Sequence, residues 1–298
     1  MGLPNDALLE QIETMAVRFA RGAGRIVLGY FGADVEVNYK SKGKADPVTN
    51  ADRESEAYLT AEIGAAFPDH AIVGEEGARV SAGKPEFTWV LDPLDGTANF
   101  MNRLPVFAVS IGVLYRGQPA AGAIFVPSAK SSQGTIYHAR RGNGAYRDGH
   151  RIQVQREAEI GRTKLVSLPG NHYRIFTLNG HLRKHSGEVR MSGSIAYEMA
   201  LTASGSFSYC VIWTPKIWDV AAGVLLVQEA GGAVYARRPR SHRWTPLEHF
   251  GPTAAALPAD LTQLSNWRAS LIVGQPGVAR LIAENLRRLP RRKPGGQA

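Results

Sequence analysis

One cysteine in 298 residues, Cys210, excludes an intramolecular disulfide and a Cys-rich zinc site. Packed within an apolar strand pattern, it reads as a core thiol. No run approaches the ~18 uninterrupted apolar residues of a membrane helix, and Met1–Arg18 carries Asp6, Glu10 and Glu13 in place of a signal peptide's basic start and apolar run. A cytoplasmic location and no membrane partner are the expectation. Repeats and low-complexity segments are absent apart from the C-terminal end. Charged residues make up 20% and hydrophobic ones 44%, which excludes a mainly disordered chain and leaves material for a sizeable core.

The net charge of +9 invites nucleic acid or an anionic substrate as partner. Arg287, Arg288, Arg291, Arg292 and Lys293 fall in a Pro- and Gly-containing end, read as a solvated tail beyond the last strand, and without them +4 remains. Nucleic acid is therefore not favoured, whereas a small anionic substrate is compatible with the body.

Hydrophobic period divides the chain near residue 150. Apolar residues at three- and four-residue spacing predict a helix over Asp6–Tyr30 with Asn5 as N-cap, and a second from about Thr49 to Phe67. Phe87–Leu91 reads as a strand that Pro93 ends at Asp92. Val106–Tyr115 and Ala120–Val126 predict a hairpin about Arg116–Pro119, continued as a meander by Gly134–His138 and Arg151–Val154. Residues 1–150 thus read as an α+β half. Beyond them strands at Lys164–Leu168, Phe207–Ile212 and Ser270–Val273 alternate with helices at Ser194–Ala203, Trp218–Ala230 and Val278–Leu289. Residues 151–298 therefore read as an α/β half.

The chemistry gathers on carboxylates. In Trp89-Val90-Leu91-Asp92-Pro93-Leu94-Asp95-Gly96-Thr97 a strand delivers Asp92 to a turn, and Asp95 follows three residues later. With the Leu94 carbonyl between them, the donors are all oxygen, which suits Mg²⁺ rather than Zn²⁺. Backbone N–H groups at Gly96 and Thr97 could hold a phosphate beside it. The bland alternative is an Asp-Pro turn with an N-cap. Glu75 follows the apolar run Ala71–Val73, and Asp219 opens an apolar helix. Each alone could be a surface acid or a cap, but four acids at element ends need a cation to offset their repulsion.

Asp46-Pro47-Val48-Thr49-Asn50-Ala51-Asp52, Gly74-Glu75-Glu76, Trp89–Thr97, Trp218–Gly223 and Glu229–Gly232 together resemble the inositol monophosphatase family, in order and spacing, over roughly residues 5–290. The resemblance implies a layered αβαβα sandwich of the inositol monophosphatase/fructose-1,6-bisphosphatase type and a Mg²⁺-dependent phosphomonoesterase, usually a homodimer, using two or three ions. It implies Glu75, Asp92, Asp95, Asp219 and the Leu94 carbonyl as metal ligands. Thr97 and Asp52 would orient and deprotonate the attacking water, with Glu75 supporting a further one. Ser192, Gly193, Ser194 and Ala196 would face the organic part of a small phosphorylated substrate, or equally be an ordinary N-cap. Inositol-specific members carry a Glu seven residues before the second-half aspartate, where this chain has Ile212, so inositol monophosphate itself is placed in doubt. A metal- or phosphate-side lysine would be Lys40, Lys42 or Lys44. Arg237, Arg238, Arg240 and Arg243 lie in Ala236–Pro258, which reads as a loop insertion. His172, His181 and His185 fit a loop or surface helix better than a zinc site. The rival activities are fructose-1,6-bisphosphatase, adenosine 3′,5′-bisphosphate phosphatase and histidinol-phosphatase. A non-catalytic scaffold for a phospholigand or nucleic acid is the alternative from another class.

Overall fold

A computed structural model describes residues 4–39, 47–81, 83, 85–183, 186–239, 241–251 and 260–289. Lys40, Lys42, Lys44, His185, Arg240, Arg291, Arg292 and Lys293 lie outside them, as does the side chain of His181.

The elements run α1 (Asp6–Tyr30), β1 (Val37–Tyr39), β2 (Pro47–Thr49), α2 (Asn50–Ala66), β3 (Ala71–Gly74), β4 (Arg79–Val80), β5 (Phe87–Asp95) and α3 (Thr97–Met101). A long meander follows in β6 (Ala108–Tyr115), β7 (Gln118–Ser128), β8 (Ser131–Arg140), β9 (Gly144–Arg147) and β10 (His150–Ile152). Then come β11 (Leu165–Ser167), α4 (His172–Ile175), β12 (Phe176–Leu178), β13 (Glu188–Val189), α5 (Ile195–Ala203), β14 (Phe207–Ile212) and α6 (Ile217–Glu229). The last elements are β15 (Ala233–Arg237), β16 (Thr245–Pro246), α7 (Leu261–Ser265), β17 (Ser270–Gly274), α8 (Pro276–Asn285) and β18 (Leu286–Arg288).

Alternation of side chains decides the layering. Along β5, Trp89 and Leu91 point into one core with α1 and α2, whereas Val90 points into another with α5 and α6. That strand sits inside an eight-stranded sheet of order β10-β9-β8-β7-β6-β5-β3-β4, antiparallel except for the β3–β5 pair. The core around α5 and α6 continues onto a six-stranded sheet of order β13-β11-β14-β17-β15-β16, through Cys210, Ile212 and Val273. On its other face Tyr209, Val211 and Ile272 meet Val278 and Ile282 of α8. Helices, sheet, helices, sheet and helix therefore stack as an αβαβα sandwich.

Helix α6 approaches the first sheet closely because Gly112 and Gly122 face it. A Cβ on Gly112 would lie 2.5 Å from that of Ala221, too close for any side chain. This contact fixes where the start of α6, and Asp219 with it, stands relative to β5.

The sequence reading needs four corrections. Strand β5 does not end at Asp92 but runs to Asp95: Pro93 is absorbed by a register shift against β6 between Asp92 and Asp95. The hairpin between β6 and β7 turns on Arg116 and Gly117, with Arg116 at φ 49, not on four residues. Arg237 ends β15 rather than starting an insertion. Helix α8 stops at Asn285, and Leu286–Arg288 form a strand with β12, so Arg287 and Arg288 are not tail.

This pairing is testable. Deleting residues 287–298 removes two of the three pairs, Arg288 with Phe176 and Arg287 with Thr177, and the bond from the Leu289 N–H to the Ile175 carbonyl. At ~1 kcal/mol per hydrogen bond, its melting temperature should lie on the order of 5 °C below that of a chain lacking only 290–298. Equal melting temperatures would show that β18 contributes nothing.

Candidate active site

Strand and helix ends bring the predicted acids together. β3 ends at Gly74 beside β5, and the Glu75 N–H donates to the Leu91 carbonyl (3.1 Å), which continues the pairing one residue past the strand. Asp92 is fully buried, and its Oδ1 accepts the Leu94 N–H (3.1 Å) across the Pro93 turn. Gly96 then takes φ +96, a left-handed conformation that turns the chain from β5 into α3.

Thr97 heads α3. Its hydroxyl lies 3.2 Å from Asp52 Oδ1 and 3.1 Å from the Leu94 carbonyl. The other Asp52 oxygen accepts the Thr49 N–H (2.8 Å) and hydroxyl (2.5 Å), a helix-start arrangement that fixes the carboxylate at the first turn of α2. Burial, opposed by those hydrogen bonds, pushes Asp52 up to about 6.

From the second sheet, Ser194 caps α5, and its hydroxyl also donates to Asp95 Oδ2 (2.6 Å), as does the Ala196 N–H (2.6 Å). Asp95 thereby ties the turn between β5 and α3 to the start of α5. Asn99 of α3 makes a second tie, donating to the carbonyls of Ser192 (2.6 Å) and Val106 (2.7 Å). A third joins the Ser110 hydroxyl to the Trp218 carbonyl (3.3 Å). Asp219 stands in the first turn of α6, its Oδ2 accepting the Lys216 N–H (2.8 Å).

Four acids consequently share one seam. Desolvation first, then the charges of Glu75, Asp95 and Asp219, raise Asp92 well above the ordinary carboxylate range. Desolvation and Asp219 do the same to Asp95, and desolvation raises Asp219 to about 7. Among the described residues no three His, Cys, Asp or Glu side chains are gathered tightly enough to grip an ion by themselves. The acids are near enough to repel one another, and their donors are all oxygen. Repulsion of this kind is what a hard divalent cation offsets, so donor type and charge fit Mg²⁺.

The expected substrate-side residues differ in standing. Ser192, Gly193 and Ser194 line the tie to Asp95, whereas Ile212 is buried in the core against α5 and α6. His172, whose Nδ1 contacts the Pro169 carbonyl (2.9 Å), serves its own turn.

Several residues here escape a reading of motifs. Ser55 and Glu56 are buried on the face of α2 that carries Asp52; Ser55 donates to the Pro93 carbonyl (3.1 Å), and Glu56 accepts the Glu76 and Ala78 N–H groups. Glu198 accepts the Ser192 N–H (2.7 Å) from within α5. The available signal was position: each is a polar residue on the apolar face of an amphipathic helix.

Comparison with known proteins places the chain in a family. The profile of the Inositol monophosphatase family matches residues 8–271. The chloroplastic phosphatase IMPL1 of Arabidopsis thaliana is 37% identical over 76% of this chain, which spans 62% of that relative's length. A fructose-1,6-bisphosphatase/inositol-1-monophosphatase of Aquifex aeolicus is 33% identical over 72% of the chain and 81% of its own. The Nus factor SuhB of Escherichia coli K12 is 34% identical over 74% and 83% respectively. Among solved structures, the inositol monophosphatase of Anabaena superposes with a TM-score of 0.68 at 27% identity, covering 93% of this chain and 97% of its own. With the family's motifs, fold and length of match all present, the chain belongs to the inositol monophosphatase family, phosphatases that hydrolyse small phosphorylated substrates.

Proposed function

We propose that this chain is a Mg²⁺-dependent phosphomonoesterase in which water attacks phosphorus directly, without a phospho-enzyme. The observation carrying this reading is the hydrogen bond from Thr97 to Asp52 set within one seam beside Asp92, Asp95, Glu75 and Asp219. Glu75, Asp92, Asp95, Asp219 and the Leu94 carbonyl would hold two or three Mg²⁺ ions, which when bound neutralise the phosphate and the leaving oxygen. Thr97 passes its proton towards Asp52 and turns a lone pair to the water. Asp52, raised to about 6 yet ionised near neutral pH, accepts that proton demand. Glu75 orients a further water. Gly96 and Thr97 present backbone N–H groups to the phosphate, while Ser192 and Gly193 face the organic part and the buried Ser194 and Ala196 hold Asp95.

The substrate is a small phosphorylated metabolite other than inositol monophosphate. Ile212, 3% exposed, offers no acceptor to a polyol hydroxyl. An anionic second group is favoured by three cations around Trp218 and Asp219. Lys216 Nζ and Arg79 Cζ lie 5.6 and 5.9 Å from the Trp218 ring, and Arg268 and Lys216 both act on Asp219 through their charge. Sugar bisphosphates and adenosine 3′,5′-bisphosphate carry such a group and are the classes to try, with histidinol phosphate, whose second charged group is a cationic amine, as the contrast. The chain works in the cytoplasm as a homodimer in this reading, supported by exposed Leu104, Tyr173, Val189 and Met191. Residues 1–150, carrying most metal ligands, and 151–298, carrying Asp219 and the substrate side, act as its two domains.

Two variants test the chemistry. Asp92→Asn should lower kcat by more than tenfold, over ~1.4 kcal/mol, at saturating Mg²⁺ while leaving the metal-free fold intact, since it removes a buried repelling charge at constant volume. A milder loss contradicts the assigned role. Thr97→Ala should cut kcat far more than it raises KM, because water positioning matters in the transition state; a rise in KM alone would make Thr97 a binding residue instead.

Specificity is tested by comparing kcat/KM for inositol 1-phosphate, glycerol 2-phosphate, fructose 1,6-bisphosphate, adenosine 3′,5′-bisphosphate and histidinol phosphate at fixed Mg²⁺. One unsatisfied hydroxyl costs ~1–3 kcal/mol, so inositol 1-phosphate should trail the best substrate by about tenfold or more. Its emerging best would overturn the argument from Ile212. Mg²⁺-dependent release from none of them would favour a scaffold.

A further inference from the structure

Three residues of one helix reach all three segments of the first-sheet half of the site. Asp52, Ser55 and Glu56 occupy i, i+3 and i+4 of α2, so they project from one face. All three are buried, at 1%, 0% and 6% exposure. Asp52 meets Thr97 at the start of α3, and Ser55 donates to the Pro93 carbonyl between Asp92 and Asp95. Glu56 meets the segment that carries Glu75.

That last contact is a two-pronged clamp. Glu56 Oε2 accepts the Glu76 N–H at 2.9 Å and Oε1 accepts the Ala78 N–H at 2.8 Å, one bond to each oxygen. The segment is closed on itself by the Gly74 N–H to the Ala78 carbonyl (2.8 Å), and Glu75 is pinned on its other side by Leu91 (3.1 Å). Gly74 leaves room for the carboxylate: a Cβ there would lie 2.2 Å from Glu56 Oε2. Arg79 donates to the Gly74 carbonyl, closing the same small ring from outside.

A buried carboxylate close to Glu75 is costly beside a site already crowded with negative charge. Its two bonds go to backbone that flanks Glu75 and to nothing in the seam. We infer that Glu56 is a positioning residue that holds Glu75 in place for the metal, setting the site's Mg²⁺ affinity without touching metal or substrate. The inference rests on the proposed role of Glu75 as ligand. Glu56→Gln keeps the volume but exchanges one acceptor for an NH₂ that faces an N–H donor, so one prong opens. Gly74→Ala attacks the same clamp from the other side by displacing the carboxylate.

The test is titration of Mg²⁺, and of Mn²⁺ followed by electron paramagnetic resonance, into substrate-free protein, with melting temperature recorded in EDTA. Glu56→Gln and Gly74→Ala should each weaken binding about tenfold, and the activity of each should recover when Mg²⁺ is raised by the same factor. Unchanged metal affinity in the folded variants, with only a lower melting temperature, overturns the inference and leaves Glu56 a structural residue. Should Glu56→Gln not fold, Gly74→Ala decides alone, and a failure of both to fold would also count against a positioning role. Glu75→Gln separates the two levels of argument. If it leaves Mg²⁺ binding intact, the ligand reading of Glu75 fails; if it weakens binding while the clamp variants do not, only the inference about Glu56 fails.

Discussion

Everything in this structure answers to the repulsion among four carboxylates held in one desolvated seam. Glu75, Asp92, Asp95 and Asp219 each act on at least one of the others, and for Asp92 and Asp95 removal from water is the larger cost. A folded chain has a margin of only ~5–15 kcal/mol, so such a cluster persists only if packing elsewhere over-determines where its members stand. Two cores do this from opposite faces of the first sheet, with Trp89 and Leu91 in one and Val90 in the other. A cation that binds the native seam and not the unfolded chain then adds stability by mass action, which couples the metal to the fold as well as to catalysis.

Placement of the acids depends on close backbone approaches more than on side-chain bulk. Asp219 is carried by α6, whose distance from the first sheet is set by Gly112 and Gly122 against Ala221 and Ala222. Asp92 and Asp95 are carried by a strand that keeps pairing through Pro93 by slipping its register. A bulge there turns two acids that are three residues apart towards one region, which an uninterrupted strand would not do, because odd separations point to opposite faces. The hydrogen bonds from Ser194 and Ala196 to Asp95 then tie the end of β5 to the start of α5.

Long periodic segments were legible from residues alone: α1 with its Asn5 cap, and β14 at Phe207–Ile212, have the bounds that their patterns indicate. Asp92 and Asp95 were legible as neighbours too, because their spacing encodes a turn, whereas Asp52 beside Thr97, 45 residues away, followed only from the family resemblance. What escaped was set by tertiary contact. Strand β18 looks like the end of a helix, since Leu286–Arg288 carries no alternation and pairs only because α8 delivers it beside β12. β9 is four residues long between two glycine turns. Glu56 and Ser55 share the face of α2 that carries Leu59 and Ile63, but no motif marks them, and their partners on Pro93, Glu76 and Ala78 come from tertiary contact.

Charge is divided along the chain in a way that matches this division of labour. Residues 1–150 hold 15 Lys and Arg against 17 Asp and Glu, whereas residues 151–298 hold 20 against 9. The acidic excess thus lies with the segments that supply Glu75, Asp92 and Asp95, and the basic excess with those that supply Lys216, Arg268 and the Ser192–Ala196 loop. In the proposed reading, a phosphorylated molecule at the seam would be attracted by Lys216 and Arg268 and repelled by the acids until cations offset them. In the proposed reaction, Glu75, Asp92, Asp95 and Asp219 would hold cations that offset the acidic wall, and an anion between the two walls would then be favoured from both sides. In that reading the same asymmetry would disfavour a neutral polyol as the recognised group, because neither wall would gain from a molecule whose only charge is the phosphate held on the acidic side.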